Sequence, residues 1–113
     1  MRNIISQTQC GMVFKCSSCN KIHIEFNNFN LNLSELEYSN FIQYINEIDG
    51  DYWANINKKS IWQRKIRIPI ASTTVCLMLH PDELSALRKL LVLPKYLIEK
   101  MLVEKLLESV CWN

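Results

Sequence analysis

Glycine is nearly missing from this chain: Gly11 and Gly50 are the only two among 113 residues. Loops that cradle phosphates need glycines where backbone meets phosphate, and neither residue alone can build one. Nucleotide sites of that kind are excluded. Long apolar runs are missing as well. No stretch reaches the ~18 apolar residues of a membrane helix, and the residues from Met1 to Gln9 lack the apolar centre of a secretory signal. Charge of one sign is missing: 13 basic residues face 11 acidic ones, a net +2, too little to steer a polyanion by the global field. Histidine occurs twice, as His23 and His80, without an assignable catalytic partner. Ser34 and Asp82 are explained by helix starts rather than by a triad. Five cysteines, an odd number, suit a reducing compartment better than a disulfide scaffold, so a cytoplasmic home is expected.

What is present is a core. Hydrophobic residues make up 49% of the chain, enough for one domain over residues 1–113. Such a domain buries roughly two-thirds of its unfolded surface without help from a metal. Ile22, Ile24 and Phe26 alternate with Lys21, His23 and Glu25, the pattern of a half-buried strand. Asn27-Asn28 supplies a two-residue turn, because asparagine tolerates positive φ. Phe29, Leu31 and Leu33 then alternate with asparagines. Pairing Phe26 with Phe29, Ile24 with Leu31 and Ile22 with Leu33 makes each cross-strand pair on that face apolar, which sets the register. Ser34 and Glu37 form a capping box. The helix that follows carries Tyr38, Phe41, Ile42, Tyr44, Ile45 and Ile48 on one face, and Gly50 is expected to end it as a left-handed cap.

Residues 51–63 read as a connection, with Trp53 and Trp62 as satellite core. The strand pattern returns at Ile66, Ile68 and Ile70, turns near Ala71-Ser72, and continues through Val75, Leu77 and Leu79. Pro69 suits an edge strand or a strand end. His80-Pro81-Asp82-Glu83 opens a second helix, with proline at its first position and acids in its first turn. Leu84, Leu87, Leu90 and Leu91 form its stripe. Leu31-x-Leu33-Ser34-x-x-Glu37-Tyr38 aligns with Leu77-x-Leu79-His80-x-x-Glu83-Leu84 at one constant offset. The expected fold is therefore α+β: two ββα units forming a four-stranded antiparallel sheet with two amphipathic helices on one face, plus a C-terminal helix. The units are residues 1–50 and 64–93, the connection 51–63, and the last helix 94–113.

Cys16 and Cys19 are the chain's most specific chemical signal. A C-x-x-C turn supplies two of the four ligands of a tetrahedral zinc site. Redox motifs of the thioredoxin type place the first cysteine at a helix N-terminus, whereas the residues after Cys19 alternate like a strand. Residues 14–23 resemble the knuckle of zinc-ribbon proteins, in which C-x-x-C is followed by a small turn residue and a basic one, here Asn20 and Lys21. A second knuckle, which zinc ribbons carry, is absent. Zinc and a metal-free turn both stand as readings. Cys10, Cys76, His80 and Cys111 are the further ligand candidates, Cys10 foremost, unless a second chain completes the site. His23 shares strand parity with Cys19, but four extended residues span ~13 Å. It is expected to be an exposed sheet histidine unless the chain bends.

Two surfaces remain. Lys58, Lys59, Arg64, Lys65 and Arg67 surround Trp62, a pattern that could bind phosphates and stack a base. The plainer account is a strand edge guarded by charge. In the last helix, Ile98, Leu102, Leu106 and Val110 lie on a wide apolar face suited to a dimer seam or a docked partner. The chain as a whole resembles a family of small uncharacterised bacterial proteins. The likeness rests on the early C-x-x-C, Phe26-Asn27-Asn28, Leu31-x-Leu33, Asp51-Tyr52-Trp53 and Ile66-x-Ile68-Pro69-Ile70, and covers residues 10–92. It implies a shared domain and no particular chemistry. The expected function is a cytoplasmic, non-enzymatic interaction module that self-associates through its last helix and holds structural zinc. The alternatives are nucleic-acid binding by residues 58–67, and a redox or metal-dependent enzyme using Cys16 and Cys19.

Overall fold

The structure is a computed structural model that describes residues 2–70 and 72–111, without the side chains of residues 2, 72–74, 101, 104, 105 and 107–111. Ala71 of the expected turn, Trp112, and the side chains of Val110 and Cys111 fall outside the described residues. The elements are β1 (Arg2–Thr8), β2 (Gly11–Cys16), β3 (Ile22–Phe26), β4 (Phe29–Leu33), α1 (Glu35–Glu47), α2 (Gly50–Ile56), β5 (Ile66–Ile70), β6 (Ser72–Leu79), α3 (Pro81–Leu90) and α4 (Lys95–Cys111). The α+β class, a four-stranded antiparallel sheet and a C-terminal helix are all present.

The β3–β4 hairpin has the register that its apolar pairs demand: Phe26 opposite Phe29, Ile24 opposite Leu31, Ile22 opposite Leu33. Its turn places Asn27 at a φ of 51°, a conformation open to asparagine at low cost. The Ser34–Glu37 capping box starts α1, with Glu37 N–H donating to Ser34 Oγ at 3.1 Å and Ser34 N–H to Glu37 Oε1 at 2.8 Å. Pro81 opens α3, and the His80 N–H donates to Glu83 Oε1 at 2.9 Å.

The sheets are assembled differently from the expected pooling of two hairpins. The four-stranded sheet runs β1-β2-β3-β4, and β5-β6 forms a separate two-stranded sheet. The strands that complete the first sheet come from residues 2–16, where alternation is hidden. A register shift between Ile4 and Ser6 bulges β1 at Ile5, and such an extra residue breaks the period-two pattern. Gly50 caps no helix in the left-handed region. It is the first residue of α2, whose N-cap Asp49 accepts from the Tyr52 N–H at 3.1 Å. The end of α1 is closed from a distance instead: the Arg88 guanidinium of α3 donates to the carbonyls of Ile45, at 3.1 Å, and Ile48. A cation at a helix C-terminus satisfies orphan carbonyls and offsets the helix dipole. Trp53 packs against the core as expected, whereas Trp62 is exposed and so is Val75.

Helix α3 packs on α1, α2, the β1 and β2 strands of one sheet and β6 of the other. Leu84, Leu87 and Leu90 are buried with Val13, Ile22, Ile24, Phe26, Ile66, Ile68 and Leu79. The Tyr38 hydroxyl donates to the Val92 carbonyl at 2.7 Å, and burial pushes this phenol up to about 12. Gly11, at the start of β2, is needed for close approach. A Cβ there would lie 1.9 Å from the Glu25 carbonyl oxygen and 3.0 Å from Phe26 Cα. Because these are backbone atoms of the paired strand, Gly11→Ala must part β2 from β3. It is expected to cost about 2 kcal/mol or more in urea unfolding, and a loss below about 0.5 kcal/mol would contradict the packing described.

Candidate metal site

The turn joining β2 to β3 is what sets the site. Cys16 closes β2, and its N–H donates to the Lys21 carbonyl at 3.1 Å, while the Asn20 N–H donates back to the Cys16 carbonyl at 3.2 Å. Asn20 takes a φ of 55°. The left-handed step reverses the chain after Cys19 and lays that side chain over the start of β3. The bend that a His23 contact requires is therefore present, and the expectation of an exposed sheet histidine is corrected. Residues 17–21 are folded rather than extended, and His23 is half-buried with Nε2 3.3 Å from Cys19 Sγ.

His23 is held on three sides. Its ring stacks on Phe14, its cross-strand neighbour on β2, at 4.9 Å between centroids and 14° between planes. On the other side its partner on β4 is Asn32, whose amide oxygen accepts from Nδ1–H. With the proton on Nδ1, the Nε2 lone pair is free to face the sulfurs. A metal-ligating histidine is commonly oriented in this way. Cys16 Sγ, Cys19 Sγ and His23 Nε2 all lie within 4.8 Å of one another. The Ser18 hydroxyl, 3.0 Å from Cys16 Sγ, together with Cys19, brings the Cys16 thiol well below the usual thiol range, to about 6. The lowering favours the thiolate, the form that binds metals.

The other expected residues are placed elsewhere. Cys10 lies in the β1–β2 turn, at the far end of β2 from Cys16, ~20 Å away along an extended strand. Cys76 lies on β6, where its sulfur accepts from the Arg67 guanidinium at 3.6 Å. His80 caps the start of α3. The structure brings neither Cys10 nor Cys76 nor His80 into the cluster. In the basic segment, Arg64 is paired with Glu83 at 2.7 Å, Lys65 donates to the Ser60 carbonyl at 2.9 Å, and Arg67 lies 4.9 Å from the centroid of the Trp62 ring. Lys58 and Lys59 are exposed. The face of Trp62 is thus in contact with a cation of its own chain. Asn32 was the residue that sequence reasoning missed as part of the site. Its signal was the hairpin register, which sets it opposite His23.

The sequence pattern of a family of unknown function, DUF6686, matches residues 1–109. The chain belongs to that family. The match takes in the Cys16–His23 segment, all of the described sheet and most of α4. No curated protein and no solved structure matches the chain. Among the described residues no helix is long and apolar enough to cross a membrane.

The depressed Cys16 thiol has a direct readout. Its alkylation by iodoacetamide, followed by peptide mass spectrometry, should reach half its maximal rate at a pH of about 6. Ser18→Ala should move that midpoint upward. A wild-type midpoint near the ordinary ~8.5 would contradict the arrangement around Cys16.

Proposed function

We propose that this chain is a small cytoplasmic interaction module whose β2–β3 turn is fastened by zinc on Cys16, Cys19 and His23. The observation that carries the reading is His23. Its Nε2 faces Cys19 Sγ at 3.3 Å while its Nδ1–H is committed to Asn32. Zinc bonds sulfur at about 2.3 Å and nitrogen at about 2.0–2.1 Å, so ligands of a tetrahedral site lie about 3.5–3.8 Å apart. The three ligand atoms here, within 4.8 Å of one another, need only small shifts to reach it. Two thiolates and an imidazole suit zinc better than the hard cations that prefer oxygen. Among the described residues no further Cys, His, Asp or Glu joins the group, which leaves the fourth position to solvent or to a partner. Protein purified with reductant and zinc should contain close to one zinc per chain. Asn32→Ala should weaken binding roughly 10–100-fold, with Asn32→Asp restoring it, and His23→Ala should weaken it further. Zinc content near zero would end this reading, and a value near one-half would move the site to a junction between two chains.

A second surface supports self-association through α4. Only Leu97 of this helix is buried among the described residues, while Ile98, Leu102 and Leu106 are 41%, 55% and 65% exposed. They recur every four residues, as does Val110 after them in the sequence, and so share one side of the helix. The radius of gyration is 16.3 Å, against about 13 Å for a compact domain of this length, as expected when a helix extends from the body. Light scattering should give a dimer at high concentration. Leu102→Glu with Leu106→Glu should return it to monomer without changing the circular dichroism of the rest. A wild-type monomer at all concentrations would remove this part of the proposal.

A further inference from the structure

We infer that Cys16 and Cys19 are a redox modification site, at which peroxide joins the two sulfurs and expels the metal. The inference rests on the zinc reading and adds a regulation to it. Both sulfurs belong to the group of ligand atoms lying within 4.8 Å of one another. A disulfide requires them to close to about 2.05 Å. Cys19 lies in a turn and is exposed, as are Ser17, Ser18 and Asn20 around it, so an oxidant can reach the sulfurs and the turn can tighten without disturbing the core. Among the described residues the other thiols compete poorly. Cys10 is ~20 Å away along β2, and Cys76 lies on the other sheet against Arg67. Two of the three ligands are the atoms that become joined, so bond formation leaves His23 alone to hold the ion. A histidine by itself holds zinc weakly compared with a set of three or four ligands.

The step balances. Of the two thiolate electron pairs, one becomes the new S–S bond and the other two electrons leave for the oxidant, by way of a sulfenic acid on one sulfur that the other attacks. One peroxide accepts both electrons and, with two protons from solvent, leaves as two waters. The zinc departs as the free dication.

The test uses the full chain, reduced and loaded with zinc, titrated with hydrogen peroxide. Released zinc is read by a chromogenic chelator and the disulfide by peptide mapping. One zinc should appear per Cys16–Cys19 disulfide formed, and reductant with added zinc should reverse both signals. His23→Ala should form the same disulfide. Zinc released while Cys16 and Cys19 stay unlinked, or retained after they link, overturns the inference. Protein that binds zinc in a His23-dependent way but forms no disulfide overturns this inference and spares the zinc reading. Protein that forms the disulfide yet never takes up zinc overturns both.

Discussion

Two sheets share one helix, and the rest of the structure depends on that shared burial. Leu84, Leu87 and Leu90 of α3 lie in a single core that contains Val13, Ile22, Ile24 and Phe26 of the larger sheet and Ile66, Ile68 and Leu79 of the smaller one. A two-stranded sheet is marginal in water by itself. The β5–β6 hairpin is stable here because α3 covers one of its faces, and the same helix covers part of the larger sheet. Arg88 extends the coupling to α1 by donating to the Ile45 and Ile48 carbonyls. The helix that follows the second hairpin therefore helps to close the helix that follows the first.

The candidate metal site is built on the opposite principle. It lies at the end of the sheet, on a turn set by two backbone hydrogen bonds and one left-handed asparagine. The sheet contributes the precision. Three adjacent strands place Phe14, His23 and Asn32 side by side, so the imidazole is fixed in plane and in proton position before any ligand arrives. A histidine held within the sheet beside an exposed turn cysteine divides the labour. The strand supplies geometry and the turn supplies adaptability.

Much of this was legible in the sequence wherever one face of an element is buried and the other is wet. The β3–β4 hairpin, with Ile22, Ile24 and Phe26 inward, declares its register through period two. Helices α1 and α3 declare themselves through their caps and stripes. Where burial is less one-sided the pattern fades. In β2, Val13 and Phe14 are consecutive and both buried, because Phe14 on the outer face is covered by the His23 ring. Ile4 and Ser6 flank a bulge at Ile5. The seven residues of α2 are too few to show a period. Neighbour relations between hairpins were not legible either. Alternation tells which face of a strand is apolar but not which edge finds a partner, and Pro69 removes one of the donors β5 could have offered. At the site, Cys16 and Cys19 stood out by spacing. His23 was obscured by the assumption of an extended path, which a single positive φ at Asn20 overturns.

The shared helix has a consequence for how the chain can be divided. The two ββα units look like modules, alike in order and in capping, and a cut in the connection at residues 58–63 would seem to free two domains. It would instead leave β1 to β4 without the leucines that seal one face of their sheet, and α1 without the guanidinium that closes its last turn. The C-terminal piece would keep α3 but lose the surface that buries it. Such halves are complementary fragments rather than domains. Each ends on an apolar face that the other covers, and the internal repeat in the sequence falls inside one shared core.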